Sequence, residues 1–495
     1  MILYCDNENY LTSLQAVRER CFKVQQIANK NQLNYFDVDI NKMEDVVQFV
    51  VSLIKRDYNA NPAKMPTHGQ WRHFDVGGRP RVQNLINVWS AQGQTPLEQT
   101  RRIIDLFIIA CLLDVESVCH NKSWSYSEQI TGRTFGGTEG VAVAVLDMFT
   151  AGVFSSDVTD PHRVDAEGLV TLSLDTFRAG FQLDHANQLS GVEERLDLIQ
   201  HLSVVLKSQS AYFGLGSISR PGNLIDYLLS HSSTIKTKKG PLIPLETLWP
   251  VVLEMGEFWA AQDNKGGSHG LGDVWPCSVL DVHQSATVNS TDHFVPFHKL
   301  TQWLVYSLIE PLERLLGATI EGKDMLTPLP DYCHGGLLMD TGLISLKQSE
   351  YDRGIDNYRK NALLPGQSKI EVAPLFEIGD PVVVEWRALT IAYLDLIADQ
   401  VRESLRLSRQ LLSLSQLMEG GTWSAGRELA EISRPNTHQP PIIIKKAGGM
   451  MTKRYDADDP DADVYDDDAG GKIGEMMAVC MQREGPVMIE YFGRQ

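Results

Sequence analysis

Eighteen residues, Leu326–Leu343 (LTPLPDYCHGGLLMDTGL), constrain this chain more than any other stretch. Two strongly apolar helical patterns flank them, Val295–Leu315 and Val382–Leu414, so the chain must break and redirect between its best elements. Pro328 and Pro330 supply the break, because proline lacks the amide hydrogen and clashes with the preceding turn. Gly335–Gly336 then permits close backbone approach or positive φ. Asp331 stands between the prolines and the glycines. An acid at such a break is positioned by the backbone, which suits a functional carboxylate. The spacing by itself favours a plainer reading, an N-cap for the apolar run after it.

Helical spacing recurs along the chain. Ser13–Lys30 and Asn41–Tyr58 read as helices, the second with Val46, Val47, Val50, Leu53 and Ile54 on one face. Between them LNYFDVDI suits a short strand or an ordered connection. Val82–Trp89, Leu97–Leu113, a segment from about Glu139, Val164–Phe181 capped by Asp165, Val192–Leu206, and Pro244–Trp259 come next as helices. Pro250 is expected to kink or end the last of these. Asp147 lies among apolar neighbours, which predicts a site wall or an arginine beside it. Lys347–Gly379 is polar and reads as an excursion. Strands are few and no internal repeat occurs, so the fold class is mainly α. One large unit is expected over 1–450, divisible into 1–215 and 216–450 lobes, with 451–495 as an acidic, solvated tail.

Charge excludes some functions. The formal balance is −18, with eight aspartates within Asp456–Asp468; without them it is near −10. Nucleic-acid binding needs clustered Lys and Arg, so none is expected. The aspartate run does not fit the EF-hand pattern, because Asp461 and Asp467 stand where Gly and Glu are required. Seven cysteines without a CxxC pair indicate reduced thiols. The acidic N-terminal residues lack a basic signal region, and Ile103–Leu113 is too short to span a bilayer. A cytoplasmic protein is the expectation.

Two loops gather chemistry. Pro66–Arg81 carries His68, Arg72, His73, Arg79 and Arg81, which suit either an anion or pairing with surface acids. Gly266–Pro276 ends in Asp273 and Trp275, an acid and an aromatic wall on an open loop. Glu139 stands at a helix start, where negative charge is favoured. The GxSxG match around Ser268 lacks the strand and helix an elbow needs. HExxH is absent, and neither His68/His73 nor His293/His298 has zinc-site spacing, so no metal or cofactor is expected. Cys333 beside His334 is weak ground for a thiol pair, since neighbouring side chains in an extended segment diverge.

PTHGQWRHFDVGGRPRV, TEGVAVAVLDMFTAGVFSSD, VPFHKLTQWLVYSLIEPL and LPDYCHGGLLMDTGLI resemble a fungal and bacterial family once classed as a domain of unknown function. That resemblance spans roughly residues 10 to 450 and implies uracil catabolism through a ribosylurea intermediate. Three ordered blocks also resemble the queuosine salvage nucleosidases, which implies a helical, DNA-glycosylase-like fold and hydrolysis of an N-glycosidic bond. The matching positions are Phe297, Lys299, Gln302 and Leu304, then Leu326, Thr327, Asp331 and Tyr332, then Glu385 and Arg387. The resemblance implies Asp331 as the catalytic acid. Cys333 and His334 depart from the nucleosidase pattern, which leaves the second acid open.

Cleaving a ribosyl C–N bond develops positive charge near C1′, which a fixed carboxylate stabilises, while a ureido group needs protonation to leave. Asp331 and Glu385 are the expected catalytic pair, with Asp273 and His298 as alternatives for the proton donor. Trp275, Phe297, Lys299, Gln302, Tyr332, Arg387, Glu139 and Arg72 are expected around a ribosyl-ureido substrate. An amidohydrolase acting on an opened pyrimidine, or a scaffold for other uracil-pathway enzymes, are the competing readings.

Overall fold

A computed structural model describes residues 9–114, 124–214, 219–263, 271–283, 291–361 and 371–445 of the protein. The acidic tail and Ser268 lie outside the described residues. Helix starts coincide with residues able to cap them. Ser13 accepts the Ala16 N–H and opens α1 (Leu14–Ala28). Met43–Tyr58 forms α2, closed by Asn59 in the left-handed region. Thr95 accepts from the Glu98 N–H ahead of α3 (Pro96–Leu113), where Pro96 takes the first helical position. Then come α4 (Gly137–Thr150), α5 (Val192–Ser208), α6 (Leu245–Asp263), α7 (Lys299–Leu316), α8 (Tyr332–Asp340), α9 (Pro381–Leu405) and α10 (Ser424–Ser433).

The fold is mainly α, and its strands are three to five residues long, in sheets of two or three among the described residues. Leu242–Pro244 runs parallel to Thr319–Glu321, and three further pairings bear on the site. Phe36–Val38, from the LNYFDVDI stretch, runs antiparallel to Ile344–Leu346 just beyond α8. Val274–Pro276 runs antiparallel to Phe294–Pro296 just before α7. Leu375–Glu377 runs parallel to Ile443–Lys445.

Several local expectations change. Val164–Phe181 is two helices, Ala166–Thr171 and Leu174–Gly180, because Ser173 caps a new start by accepting the Thr176 N–H. Pro250 neither ends α6 nor shortens it. Leu248, Val251 and Val252 are fully buried around it, and that packing outweighs the single hydrogen bond proline forgoes. The polar stretch after Leu346 forms a helix, Gln348–Asn361, which buries little beyond Gly354 and Tyr358. Asp147 makes no ion pair among the described residues; the Tyr126 hydroxyl donates to it at 2.7 Å, and the charge of Arg81 acts on it from farther off.

Buried side chains form two large clusters, each drawing residues from both the N-terminal and the C-terminal parts of the described chain. One surrounds α3, α4, α5 and the middle of α7. The other surrounds α9, and it joins α1 and α2 from the N-terminal end to Leu337, Leu338, Ile344 and Leu429. In α9 every residue from Val382 to Leu394 is buried, as expected of a helix apolar around most of its circumference. Among the described residues no helix is long and apolar enough to cross a membrane.

Candidate active site

Asp331 occupies the N-cap of α8, with extended backbone and Oδ1 accepting the His334 N–H at 2.9 Å. Its side chain is only 10% exposed. Oδ2 lies 3.0 Å from His334 Nδ1, which also faces the Leu329 carbonyl at 2.9 Å. With acceptors on both sides, Nδ1 must carry a hydrogen. His334 Nε2 is buried without a hydrogen-bond partner. Burial works against the Asp331 charge, yet His334 and Lys299 hold its carboxyl down at about 2. An anionic carboxylate thus sits at the positive end of a helix, inside the protein. The cap and the candidate functional carboxylate are the same group.

The neighbourhood of this acid comes from distant segments. The His334 ring centre is 6.2 Å from that of His68, whose Nδ1 lies 2.6 Å from Glu419 Oε2. Trp303 on α7 meets His68 edge-on at 4.9 Å and stacks on His73 at 5.5 Å. Trp423 approaches His68 at 6.1 Å, and the Arg427 guanidinium lies 4.9 Å from the Trp423 ring centre. Arg427 Nη1 is 3.7 Å from Glu139 Oε1 at the start of α4. Arg427 and Glu139 are the more open members, with side chains 47% and 30% exposed, against 4% for His68.

Backbone geometry explains the convergence. The loop before α3 lies along α7: the Gln70 N–H donates to Ser307, and Arg72 and Thr67 donate to Glu310. Glu419 and Trp423 stand on a π-helical turn, Met418–Trp423, a wide geometry that recurs at functional sites. A Cβ on Gly420 would come within 2.8 Å of the Tyr58 ring, so glycine lets this turn press against α2. Likewise a Cβ on Gly426 would overlap the Cys333 carbonyl oxygen, so only glycine lets α10 close on α8.

The other expected residues build a frame beneath the acid. Arg387 grips Asp273 through both oxygens at 2.9 and 2.7 Å, and Asp273 also accepts the Lys299 N–H and the Trp275 Nε1–H. Although burial opposes it, Arg387 holds the Asp273 carboxyl well below the usual range. Phe297 is fully buried, with the Arg387 guanidinium 4.0 Å from its ring centre. Gln302 ties α7 to the pivot segment, donating to Thr327 Oγ1 and the Phe297 carbonyl and accepting the Thr327 N–H.

Several expected roles therefore shift. Glu385 does not join Asp331 as an available acid: its carboxylate accepts the N–H groups of Asn34, Tyr35 and Phe36 and is 1% exposed. His298 donates to the Leu11 carbonyl from a buried, left-handed position, and burial pushes its pKa down. Trp275 is a strand residue packed on Gly379, not an aromatic wall on an open loop. Arg81 is held by Glu128 through two nitrogens, whereas Arg72 is held by Glu310 at Nη2, keeps its buried Nε without a hydrogen-bond partner, and acts on Glu419. Tyr332 is half-buried on the first turn of α8.

A cleft elsewhere, bordered by Arg101, Arg163 and Arg220, offers no comparable chemistry, since acids pair with each guanidinium. Among the described residues no group of three or more His, Cys, Asp or Glu is arranged to hold a metal ion.

The family model described as "Protein of unknown function (DUF1688)" matches residues 10–451. The chain belongs to this family. It is 39% identical over 450 residues to "Uracil catabolism protein 4" of Lachancea kluyveri, covering 90% of this chain and 98% of the relative. It is 33% identical over 448 residues to "Protein urg3" of Schizosaccharomyces pombe, covering 89% and 98%. The matched span of the family includes every residue of the Asp331 site.

Sequence reasoning did not assign His334, Trp303, Glu419, Trp423 or Arg427 to this site. His334 carried a usable signal, because Asp331 as cap places it one helical turn away, at i+3. Glu419 carried none, being 351 residues from His68.

Proposed function

We propose that this chain acts in uracil catabolism, hydrolysing the N-ribosyl bond of ribosylurea or of its 5′-phosphate to urea and ribose or ribose phosphate. The observation that carries this reading is the buried, anionic Asp331, fixed at a helix N-terminus and faced by a group able to hold a proton. Such a carboxylate stabilises positive charge developing at C1′ and orients the attacking water. The name of the Lachancea relative supports the pathway. Lys299, whose charge acts on Asp331, the adjacent Tyr332, and the Arg427–Glu139 pair beside Trp423 are proposed to contact the ribose and the ureido group.

The protein is proposed to work as an enzyme of the N-glycosyl hydrolase type, in the cytoplasm. The test is purified protein incubated with synthetic ribosylurea, with and without a 5′-phosphate, while urea and reducing sugar are quantified. Equimolar urea and sugar are expected. Ammonia without free sugar would replace this reading with amidohydrolysis, and no turnover of either compound would remove the enzyme assignment.

A further inference from the structure

Three groups expected to protonate the leaving nitrogen are all committed elsewhere. Glu385 holds three backbone N–H groups, Asp273 holds Arg387, and His298 holds the Leu11 carbonyl. Cleavage of the N-ribosyl bond still needs a donor, since a ureido anion is a poor leaving group. One group near Asp331 is built for that task. His68 is buried, its Nδ1 rests on Glu419 Oε2 at 2.6 Å, and its ring centre lies 6.2 Å from that of His334, the partner of Asp331. We propose that His68, oriented by Glu419, is the proton donor to the leaving nitrogen, so that the site works as two facing carboxylate–imidazole pairs. This rests on the N-ribosyl hydrolase reading.

The two flanking histidines fit the task less well. His334 has its Nδ1 occupied by Leu329 and Asp331, and its Nε2 is sealed from solvent. His73 stacks on Trp303 with Nδ1 3.3 Å from Gln70 Oε1, and burial pushes it toward the neutral form. His68 by contrast has its Nδ1 oriented by the Glu419 carboxylate at 2.6 Å, and its Nε2 is not among the buried atoms left without a partner. Its backbone is locked as well: its N–H donates to Ser415, whose hydroxyl donates back to the His68 carbonyl. The charged and titratable neighbours of this pair are His73, His334, Arg72 and Tyr58, and Glu139 and Arg427 act in turn on His73.

The step balances as hydrolysis. The C1′–N bond breaks with its electron pair on nitrogen, which takes the proton from His68 Nε2. Water oxygen bonds to C1′ beside Asp331, and the proton it sheds returns through solvent to His68. One water is consumed and urea leaves neutral.

The experiment compares ribosylurea with 4-nitrophenyl riboside, whose leaving group departs without protonation. His68→Asn should lose about 10²–10³-fold in kcat/KM on ribosylurea and less than about 10-fold on the nitrophenyl riboside. Glu419→Gln should show the same selectivity at smaller size, because the ring loses the carboxylate that orients it. If His68→Asn does not fold, as judged by circular dichroism, Glu419→Gln carries the comparison alone. Equal losses on both substrates, or full activity on ribosylurea, would overturn the assignment of His68 while leaving the hydrolase reading intact. A wild-type protein that releases no ribose from either substrate overturns both.

Discussion

Replacing Asp331 with Asn separates its two duties, because the amide oxygen can still accept the His334 N–H while the charge is gone. The structure sets the size of the stability effect. The carboxyl falls from 3.8 to about 2 on folding, so its charged form contributes about 2–3 kcal/mol at neutral pH. Asp331→Asn should therefore cost about 2 kcal/mol, and Asp331→Ala about 1 kcal/mol more through loss of the cap. The sign comes from the depressed pKa. The contribution is complete above the unfolded value near 4 and disappears as pH falls through about 2. Urea unfolding of wild type and Asp331→Asn at a series of pH values should show the gap narrowing across that window. Urea release from ribosylurea should fall about 10²–10³-fold in both variants at neutral pH, since neither has the anion. A gap that persists undiminished at pH values near 2 would refute the charge argument. Full urea release by Asp331→Asn would take the carboxylate out of the reaction.

The frame beneath the acid gives further expected outcomes. Glu385→Gln should destabilise by about 1–3 kcal/mol, because an amide cannot accept all three N–H groups of residues 34–36, yet kcat of the folded fraction should stay near wild type. Unfolding curves and turnover on the same samples check both halves. Arg387→Met strands a buried carboxylate and should cost about 3–5 kcal/mol, part of which Asp273→Leu in the same chain should restore. Chemical denaturation of the single and double variants decides it. Gly426→Ala drives a methyl group into the Cys333 carbonyl, so α10 must lift from α8, costing about 1–3 kcal/mol. Its melting temperature and its urea release should fall together, and an unchanged rate would show that the α8–α10 contact does not set the site geometry.

Much was determined by the sequence alone. Capping residues and apolar spacing place most helix starts within a few residues, and the prolines before Asp331 fix the break that makes it a cap. These are local effects, and local effects are written in neighbouring residues. The helix around Pro250 was legible but not that it would run on past the proline, and the split at Ser173 was not, because packing and a competing cap outweigh the local signal there. The three blocks around Lys299, Asp331 and Arg387 were visible as a set, but not which members face the reaction. Only tertiary structure decides that. Glu385 and Asp273 look like acids for chemistry until the chain closes and other groups occupy every oxygen. Glu419 looks like part of a closing segment until a π-helical turn sets it against His68, which the chain reaches 351 residues earlier. A sequence records which side chains can hold a proton; folding decides which of them are left without another partner.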